Sequence, residues 1–286
     1  MNPASDKFLA DIGNHDVEVR YAAWRAAGSE DPEVIAPLGK LMGADDPGVR
    51  NAATQALKTI VDSVGKQPVG EKRAAVIQQF IALTANGHPA WVRTIALRDL
   101  SLIGGDETVP AAAKLLTDAD LQEEAVFCLE RIPGDASIAA LIAAYPHVGD
   151  SFKPRVLAAF GHRRAAQAVD LCVAAMASSN LDIAIAGMKA AGRIGIKPSG
   201  EIKLPDYKSL SDWQKTEYDD SLLRYADSVH DIHIYRAFLE RPEEHLQCAA
   251  IIGLAKIHTP EAVSLISPKL KSPNRTVRIT AQKALA

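Results

Sequence analysis

Apolar residues recur along the chain at a spacing that fits one face of an α-helix. In the stretch DDPGVRNAATQAL, Val49 is followed by Ala53 four residues later and by Leu57 eight residues later. Positions 0, +4 and +8 share one face of a helix with about 3.6 residues per turn. The Asp-Pro turn before Val49 supplies a capping oxygen and a proline, which both favour a helix start. The pattern therefore predicts an amphipathic helix that begins at this turn.

The same template, an apolar residue with further small or apolar residues at +4 and +8, recurs along almost the whole chain. Its starting positions are Val19, Val49, Val92, Leu121, Phe152, Ile183, Leu246 and Val277. Most intervals are 29 to 31 residues, but the interval after Val49 is about a dozen residues longer and the interval after Ile183 is close to two periods. We therefore expect one further, degenerate repeat near residues 208–230.

A second set of amphipathic segments lies between the template helices. These segments occupy residues 31–42, 106–116, 135–145, 164–176 and 259–270. Each opens at or near an Asp or Thr that can cap backbone N–H groups, and several carry proline in the first turn. Each period is thus a pair made of a first helix and a second helix, the second carrying the template. Because one pair cannot bury its own apolar face, the chain is predicted to be an all-α, right-handed α-solenoid of about eight or nine stacked pairs.

This repeat resembles that of the HEAT-repeat family. The resemblance rests on the segments DDPGVRNAATQALKTI, HDVEVRYAAWRAAG and SPNRTVRITAQKAL. It is closer to the short HEAT-like repeats of about 30 residues found in many bacterial proteins, including the phycobilisome lyases. It covers nearly the whole chain, although Leu121, Phe152, Ile183 and Leu246 are not followed by arginine. The resemblance implies an α-solenoid that serves as a scaffold, an adaptor or, in a few cases, an enzyme.

In HEAT-like proteins the arginine of the Val-Arg pair typically reaches an acidic residue of a neighbouring turn. The resemblance therefore implies a structural ladder between repeats, with Asp16, Asp46 and similar residues accepting. The arginines of this ladder are Arg20, Arg50, Arg93 and Arg278. The alternative is that they bind an anionic ligand, but their regular spacing favours the structural ladder.

Composition narrows the class of protein. Of 286 residues, 48% are hydrophobic and only 5% aromatic, which favours close packing of small-residue helices over a β-sandwich. Cys128, Cys172 and Cys248 are odd in number and far apart, so buried free thiols are expected. No apolar run is long enough to span a membrane, and the first residues lack a signal-peptide pattern. We expect a cytoplasmic protein, although an exported protein without its signal peptide would look the same.

No motif for catalysis, metal or phosphate binding is present in the sequence, so no cofactor and no enzymatic activity are expected. The leading hypothesis is a non-catalytic scaffold that holds a protein or peptide along its concave face. One alternative is a protein that handles a small ligand or chromophore, as the HEAT-like lyases do. Another is DNA recognition, as in the HEAT-like alkylpurine glycosylases, which the formal net charge of −3 disfavours.

Positions +2, +5 and +6 of the second helices are expected to escape the deepest core and to line the concave face. The candidate binding residues there are Tyr21, Trp24, Arg25, Arg98, Phe127, Met188 and Lys189. An exposed aromatic residue beside an arginine is a typical protein-binding anchor. The alternative for Tyr21 and Trp24 is that they close the N-terminal end of the stack.

The expected divisions are repeats over 1–195, an irregular segment over 196–245 and repeats over 246–286, all within one continuous solenoid. The irregular segment holds four of the six tyrosines and has eleven acidic against seven basic residues. Trp213, Tyr218 and Tyr225 are candidate docking residues, because departures from a repeat often carry specificity. The alternative is that these aromatics fill the core of a degenerate repeat.

Two weaker candidates remain. Asp227, His230 and His233 stand at i, i+3 and i+6, where one helical face would present them to a metal ion, although solvated histidines are the more ordinary interpretation. The last template helix, TVRITAQKALA, keeps interior-type residues such as Val277 and Leu285. We expect its edge to meet another copy, a partner or a further part of a longer protein.

Overall fold

The structure, a computed structural model, describes residues 2–197 and 210–286. Within these ranges the chain is all-α, with 17 α-helices and no β-strand. None of the helices in these ranges is both long and apolar enough to cross a membrane. The chain divides into two compact units, Met1–Val148 and Gly149–Ala286, whose boundary differs from the expected divisions at 195 and 245.

Unit 1 (Met1–Val148) contains four helix pairs followed by one further helix. Its helices are α1 (Pro3–Ile12), α2 (Val17–Ala26), α3 (Ile35–Leu41), α4 (Pro47–Gly65), α5 (Glu71–Leu83), α6 (Ala90–Ile103), α7 (Val109–Ala113), α8 (Gln122–Arg131) and α9 (Ala136–Ala144). The second helices are α2, α4, α6 and α8, and each packs on the next in chain order. The extra residues after Val49 lengthen α4 and α5, which have 19 and 13 residues, rather than forming an inserted loop.

Unit 2 (Gly149–Ala286) also contains first and second helices, although two second helices follow one another among its described helices. Its helices are α10 (Lys153–His162), α11 (Val169–Met176), α12 (Leu181–Ile194), α13 (Asp212–Val229), α14 (Ile232–Leu239), α15 (Glu244–Ala255), α16 (Pro260–Ile266) and α17 (Arg275–Leu285). Here the second helices are α10, α12, α13, α15 and α17, and they again pack in chain order.

The template residues supply the core of both units. In α4, Val49, Ala53 and Leu57 are all buried. The equivalent residues of α6, α8, α10, α12 and α15 are buried as well. The apolar period therefore identifies the face by which each second helix packs on its neighbours.

The degenerate repeat expected near residues 208–230 is present as α13. Its helix starts at a capping box in which Ser211 accepts from the Gln214 N–H and the Gln214 side chain accepts from the Ser211 N–H. The template then restarts at Gln214, with Tyr218 and Leu222 buried at +4 and +8. The part of this repeat over residues 198–209 lies outside the described residues.

Three arginines of the Val-Arg pairs bond the turn before their own helix. The Arg50 guanidinium donates to the carbonyl oxygens of Ala44 and Asp45, at 2.7 and 2.9 Å. Arg20 and Arg278 make the same two bonds to the residues six and five positions before them. Carbonyl groups just past a helix end have no intrahelical donor, so these arginines satisfy groups that the fold leaves open.

Arg93 behaves differently and connects two successive pairs. Its guanidinium donates to the Thr84 carbonyl and to the Asn86 side chain, both at 3.0 Å. It also lies 3.4 Å from the carboxylate of Asp118, in the turn before α8. This is the geometry that a ladder between repeats requires.

Asp16 and Asp46 cap their own helices instead of accepting from the arginine ladder. Asp16 accepts from the Glu18 N–H at 2.8 Å, and Asp46 accepts from the Gly48 N–H at 2.6 Å. The extended backbone of a capping residue directs its short carboxylate towards the first turn of its helix. The Gly48 N–H, and to a smaller extent the nearby charge of Arg20, lower the pKa of Asp46.

Replacing Arg50 by alanine is expected to lower the free energy of unfolding by about 1–2 kcal/mol, because two turn carbonyls lose their donor. Urea unfolding followed by circular dichroism measures this change. Arg224→Ala is the control, since Arg224 is exposed and pairs with Asp220 on its own helix. Such a surface pair contributes at most about 0.5 kcal/mol. Equal effects of the two substitutions would contradict the capping role of Arg50.

Candidate protein-interaction surface

Three aromatic side chains are exposed on the second helices of unit 1. Tyr21 on α2 is 46% exposed, Trp91 on α6 is 41% exposed and Phe127 on α8 is 38% exposed. They occupy template positions +2, −1 and +6, which lie along one stripe of a helix surface. We call Tyr21, Trp24, Arg25, Trp91 and Phe127 the second-helix surface.

The aromatic side chains of this surface are held in place by their neighbours. The rings of Tyr21 and Trp24 meet edge to face, with centroids 5.2 Å apart. The Arg25 guanidinium lies over the Tyr21 ring, 5.4 Å from its centroid, and donates to the Tyr21 hydroxyl at 3.1 Å. Arg131 lies over the Phe127 ring in the same way, also at 5.4 Å. Rings fixed before binding lose little conformational freedom when a partner contacts them.

A groove of about 740 Å³ runs between α4 and α6 beside Trp91. Its lining includes Pro47, Pro89, Trp91 and Ile95 as apolar groups and Arg50, Asn51 and Thr54 as polar groups. Asn51 is exposed, and its amide is both a donor and an acceptor. The groove therefore combines apolar walls with one amide that matches the backbone of an extended peptide.

Arg98 and Lys189, two of the candidate binding residues, form ion pairs between successive second helices. Arg98 on α6 donates to both carboxylate oxygens of Glu124 on α8, at 2.9 and 2.5 Å. Lys189 on α12 pairs with Glu217 on α13. In both cases a base at +6 meets an acid at +3 of the next second helix. These two side chains thus link neighbouring second helices, and their charged groups are already paired with carboxylates.

Met188, Tyr218 and Tyr225 are buried, although Met188 and Tyr225 also line a groove of about 620 Å³ between α12 and α13. They are 0%, 3% and 0% exposed. Met188 at +5 faces the next second helix rather than the surface. Tyr218 and Tyr225 belong to the restarted template of α13, so they fill the core. Burial thus supports the core alternative for Tyr218 and Tyr225.

Trp91 is the surface residue that sequence reasoning missed. It stands at position −1, directly before the Val-Arg pair, where the two preceding repeats have Glu18 and Gly48. A large aromatic at a position that is charged or small in those two repeats was the available signal, and the same position of the α13 template is Trp213.

Trp213 is 72% exposed at the start of α13. The other large exposed hydrophobic side chains in the described part of unit 2 are aliphatic. A hollow of about 530 Å³ lies between α13 and α15. Its carboxylates include those of Asp219 and Glu243, which both pair with Arg241, at 3.3 and 3.1 Å. The carboxylates of Asp219 and Glu243 are thus already paired within the protein. Trp213 remains a candidate binding residue with no other large exposed aromatic side chain in the described part of unit 2.

The metal candidate of Asp227, His230 and His233 is wrong in its geometry. Helix α13 ends at Val229, and His230 has a positive φ of 53°, so the three residues do not share one helical face. Asp227 instead accepts from Lys256 at 2.6 Å and from the Tyr235 hydroxyl at 3.2 Å. The Lys256 bond is the main cause of a lowered pKa at Asp227. Within residues 2–197 and 210–286, no group of three potential ligands is arranged to hold a metal ion.

All three cysteines are free thiols; Cys128 and Cys172 are buried as expected, whereas Cys248 is only half-buried. Burial raises the pKa of Cys128 and of Cys172 to about 12. Their thiolate populations at neutral pH are therefore negligible, and both behave as small apolar side chains.

No protein-family model matches the chain, and no curated protein matches it. Among solved structures, one match is a crystal structure of an engineered protein from the Northeast Structural Genomics Consortium. It has 17% sequence identity and a TM-score of 0.39, and the match covers 100% of this chain and 98% of that chain. A second engineered protein from the same consortium has 19% identity and a TM-score of 0.24, with 100% of this chain and 96% of that chain covered. At these TM-scores the likeness carries no argument about fold or function.

Proposed function

We propose that the chain is a HEAT-like α-solenoid that binds an extended segment of a partner protein on the second-helix surface of unit 1. The observation that carries the proposal is the groove between α4 and α6, which lies beside exposed Trp91, in the same row of helices as the fixed Tyr21–Trp24 pair. Aromatic anchors next to an arginine, around a groove with apolar walls, are typical of protein-binding sites.

The repeated helix pairs support the solenoid part of this proposal. Each described unit stacks its second helices in chain order, so a continuous row of similar surfaces is presented within the unit. A stack of this kind places equivalent template positions side by side. An extended peptide that crosses this row can then contact several helices at once, with side chains several residues apart meeting Tyr21, Trp91 and Phe127.

The charge of unit 1 favours a protein partner over a nucleic acid. Residues 1–148 carry 13 basic and 20 acidic side chains, a net charge of −7. A phosphate backbone would meet net repulsion from this unit. We therefore expect contacts dominated by apolar side chains and by peptide-backbone hydrogen bonds.

Peptides selected on the immobilised chain from a displayed random library test the proposal. The binding of one selected peptide is then measured by titration calorimetry. Tyr21→Ala and Trp91→Ala should each weaken binding by about tenfold or more, as removal of an aromatic anchor does. Both side chains are exposed, so the variants should keep the melting temperature of the unchanged chain.

Trp213→Ala is the matched control, because it removes an exposed tryptophan from unit 2. It should leave the affinity for the selected peptide unchanged. Loss of binding in this variant, with full binding by the Tyr21 and Trp91 variants, would move the site to α13 and refute the proposal.

A further inference from the structure

The α1–α2 pair exposes a stripe whose counterpart in the next pair is buried. Ala22 and Ala26, at +3 and +7 of the template, are exposed on α2. The equivalent Ala52 and Ala56 of α4 are buried. Ser63, on the same stripe of α4, donates to the carbonyl of Gly28 just past the end of α2. The +3/+7 stripe is therefore the side by which a second helix receives the preceding second helix.

The side that contacts the following second helix is exposed on α17. Position +5 is buried in α6, α10, α12, α13 and α15 and half-buried in α2 and α4, and each of these helices is followed by another second helix within its unit. On α12 this residue is Met188, which lines the groove between α12 and α13. On α17 the same position is Gln282, which is exposed beside Ile279. The structure thus exposes two packing faces. On α17 it is the face that contacts a following second helix in other pairs, and on α2 it is the face that contacts a preceding one.

The two surfaces carry opposite charge. Residues 2–46 hold nine acidic and four basic side chains, whereas residues 259–286 hold one acidic and five basic side chains. On α17, Arg275, Ile279 and Lys283 lie at i, i+4 and i+8, on one exposed stripe. In the described part of the chain, no ion pair engages Arg275 or Lys283.

We infer that two copies of this chain associate head to tail, with α17 of one copy packed on the Ala22–Ala26 stripe of α2 in another. Glu244, at −2 of α15, bonds the side chain of Thr276, at −1 of α17. The same register places Arg275, at −2, beside Glu18, at −1. The small alanines allow close approach of Ile279 and Gln282. The inference does not depend on the peptide site, since it uses a different stripe of α2.

The contact is expected to be weak. The α2 and α17 helices have 10 and 11 residues, so the contact extends for only about 15 Å along each helix. Such an edge buries less than the roughly 1,200 Å² of a stable interface. Because one of the central residues is the polar Gln282, we expect a dissociation constant of about 10⁻⁵–10⁻⁴ M that rises with ionic strength.

Sedimentation velocity of the 286-residue chain tests this association over a range of protein concentrations. At low salt the weight-average molar mass should rise with protein concentration. At high salt it should be lower at the same protein concentration, because the charge pairing is screened. A chain that stays monomeric up to about ten times the expected dissociation constant overturns the inference.

Two charge reversals identify the surfaces. Glu18→Lys and Arg275→Glu should each weaken self-association by about tenfold, because like charges then face each other. An equimolar mixture of the two variants should associate again, since the reversed charges are complementary between them. Lys114→Glu, at an exposed residue of unit 1, is the control and should leave association unchanged. Association that survives both reversals, or a mixture that stays monomeric when each variant is folded by circular dichroism, overturns the inference.

Discussion

Replacing Asp99 by alanine is expected to stabilise the protein by about 2–4 kcal/mol above pH 7 and to change little near pH 4. Asp99 is 6% exposed on α6, and its Oδ2 atom is buried with no hydrogen-bond partner. It stands at +7, where α4, α10 and α12 have alanine. Alanine therefore fits the site and removes a carboxylate that is poorly solvated.

The direction of the pH dependence follows from the pKa of Asp99. Burial is the main cause that raises this pKa from 3.8 to about 7, while Lys58 lowers it and Asp62 raises it. Between about pH 4 and pH 7 the folded chain binds a proton that the unfolded chain has released, so the stability of the native protein falls as the pH rises. Above pH 7 both states are ionised and the penalty is constant.

Urea unfolding of the native chain and of Asp99→Ala across this pH range measures the effect as a difference between the two. Asp62→Ala is the control, because Asp62 is exposed on α4 and only modulates the charge near Asp99. The free energies of unfolding of the native chain and of Asp99→Ala could differ by the same amount at pH 4 and at pH 8. That result would show that the folded chain does not raise the pKa of Asp99.

Gly187→Ala is expected to destabilise unit 2 by about 3 kcal/mol, although alanine is the better helix former by about 1 kcal/mol. Gly187 occupies the +4 position of α12, where α11 approaches closely. An added Cβ atom would lie 2.7 Å from the Cys172 carbonyl oxygen and 3.1 Å from the Met176 nitrogen. Both atoms belong to backbone, so the helices themselves must separate.

Gly192→Ala, in the same helix, is the matched control. Its Cβ atom would lie 3.4 Å from the nearest atom, which is an ordinary contact. This variant should gain up to about 1 kcal/mol from helix propensity. Thermal melting of both variants separates helix propensity from the steric effect. Equal melting temperatures of Gly187→Ala and Gly192→Ala would mean that α11 and α12 leave room for a Cβ atom at position 187.

The apolar period predicts the second helices and their buried face because both depend on spacing within one helix. It also locates α13, since Tyr218 and Leu222 keep the template when it restarts at Gln214. The assignment of position +5 to the surface failed at Met188, where the following second helix, α13, packs on α12. The sequence pattern of one helix pair does not specify which of its remaining positions the neighbouring pair covers.

The candidate surface could be predicted only in part. Tyr21 and Phe127 are exposed at the expected positions, and Trp24 is half-buried beside Tyr21. The ion pairs of Arg98 and Lys189 join residues 26 and 28 positions apart, so they require the spacing between helices to be known. The metal candidate failed because a left-handed residue at His230 ends α13, and no proline or glycine marks that break.

Hydrogen exchange of the full chain, with and without a peptide selected from the random library, shows which helices the peptide covers. The proposed site predicts that bound peptide slows amide exchange in α2, in the first half of α4 and in α6, around Tyr21, Asn51 and Trp91. Amides of α13 and α15 should exchange at the same rate in both samples. Protection confined to α13 around Trp213, with unchanged exchange throughout α2 and α6, would show that the peptide does not bind the second-helix surface.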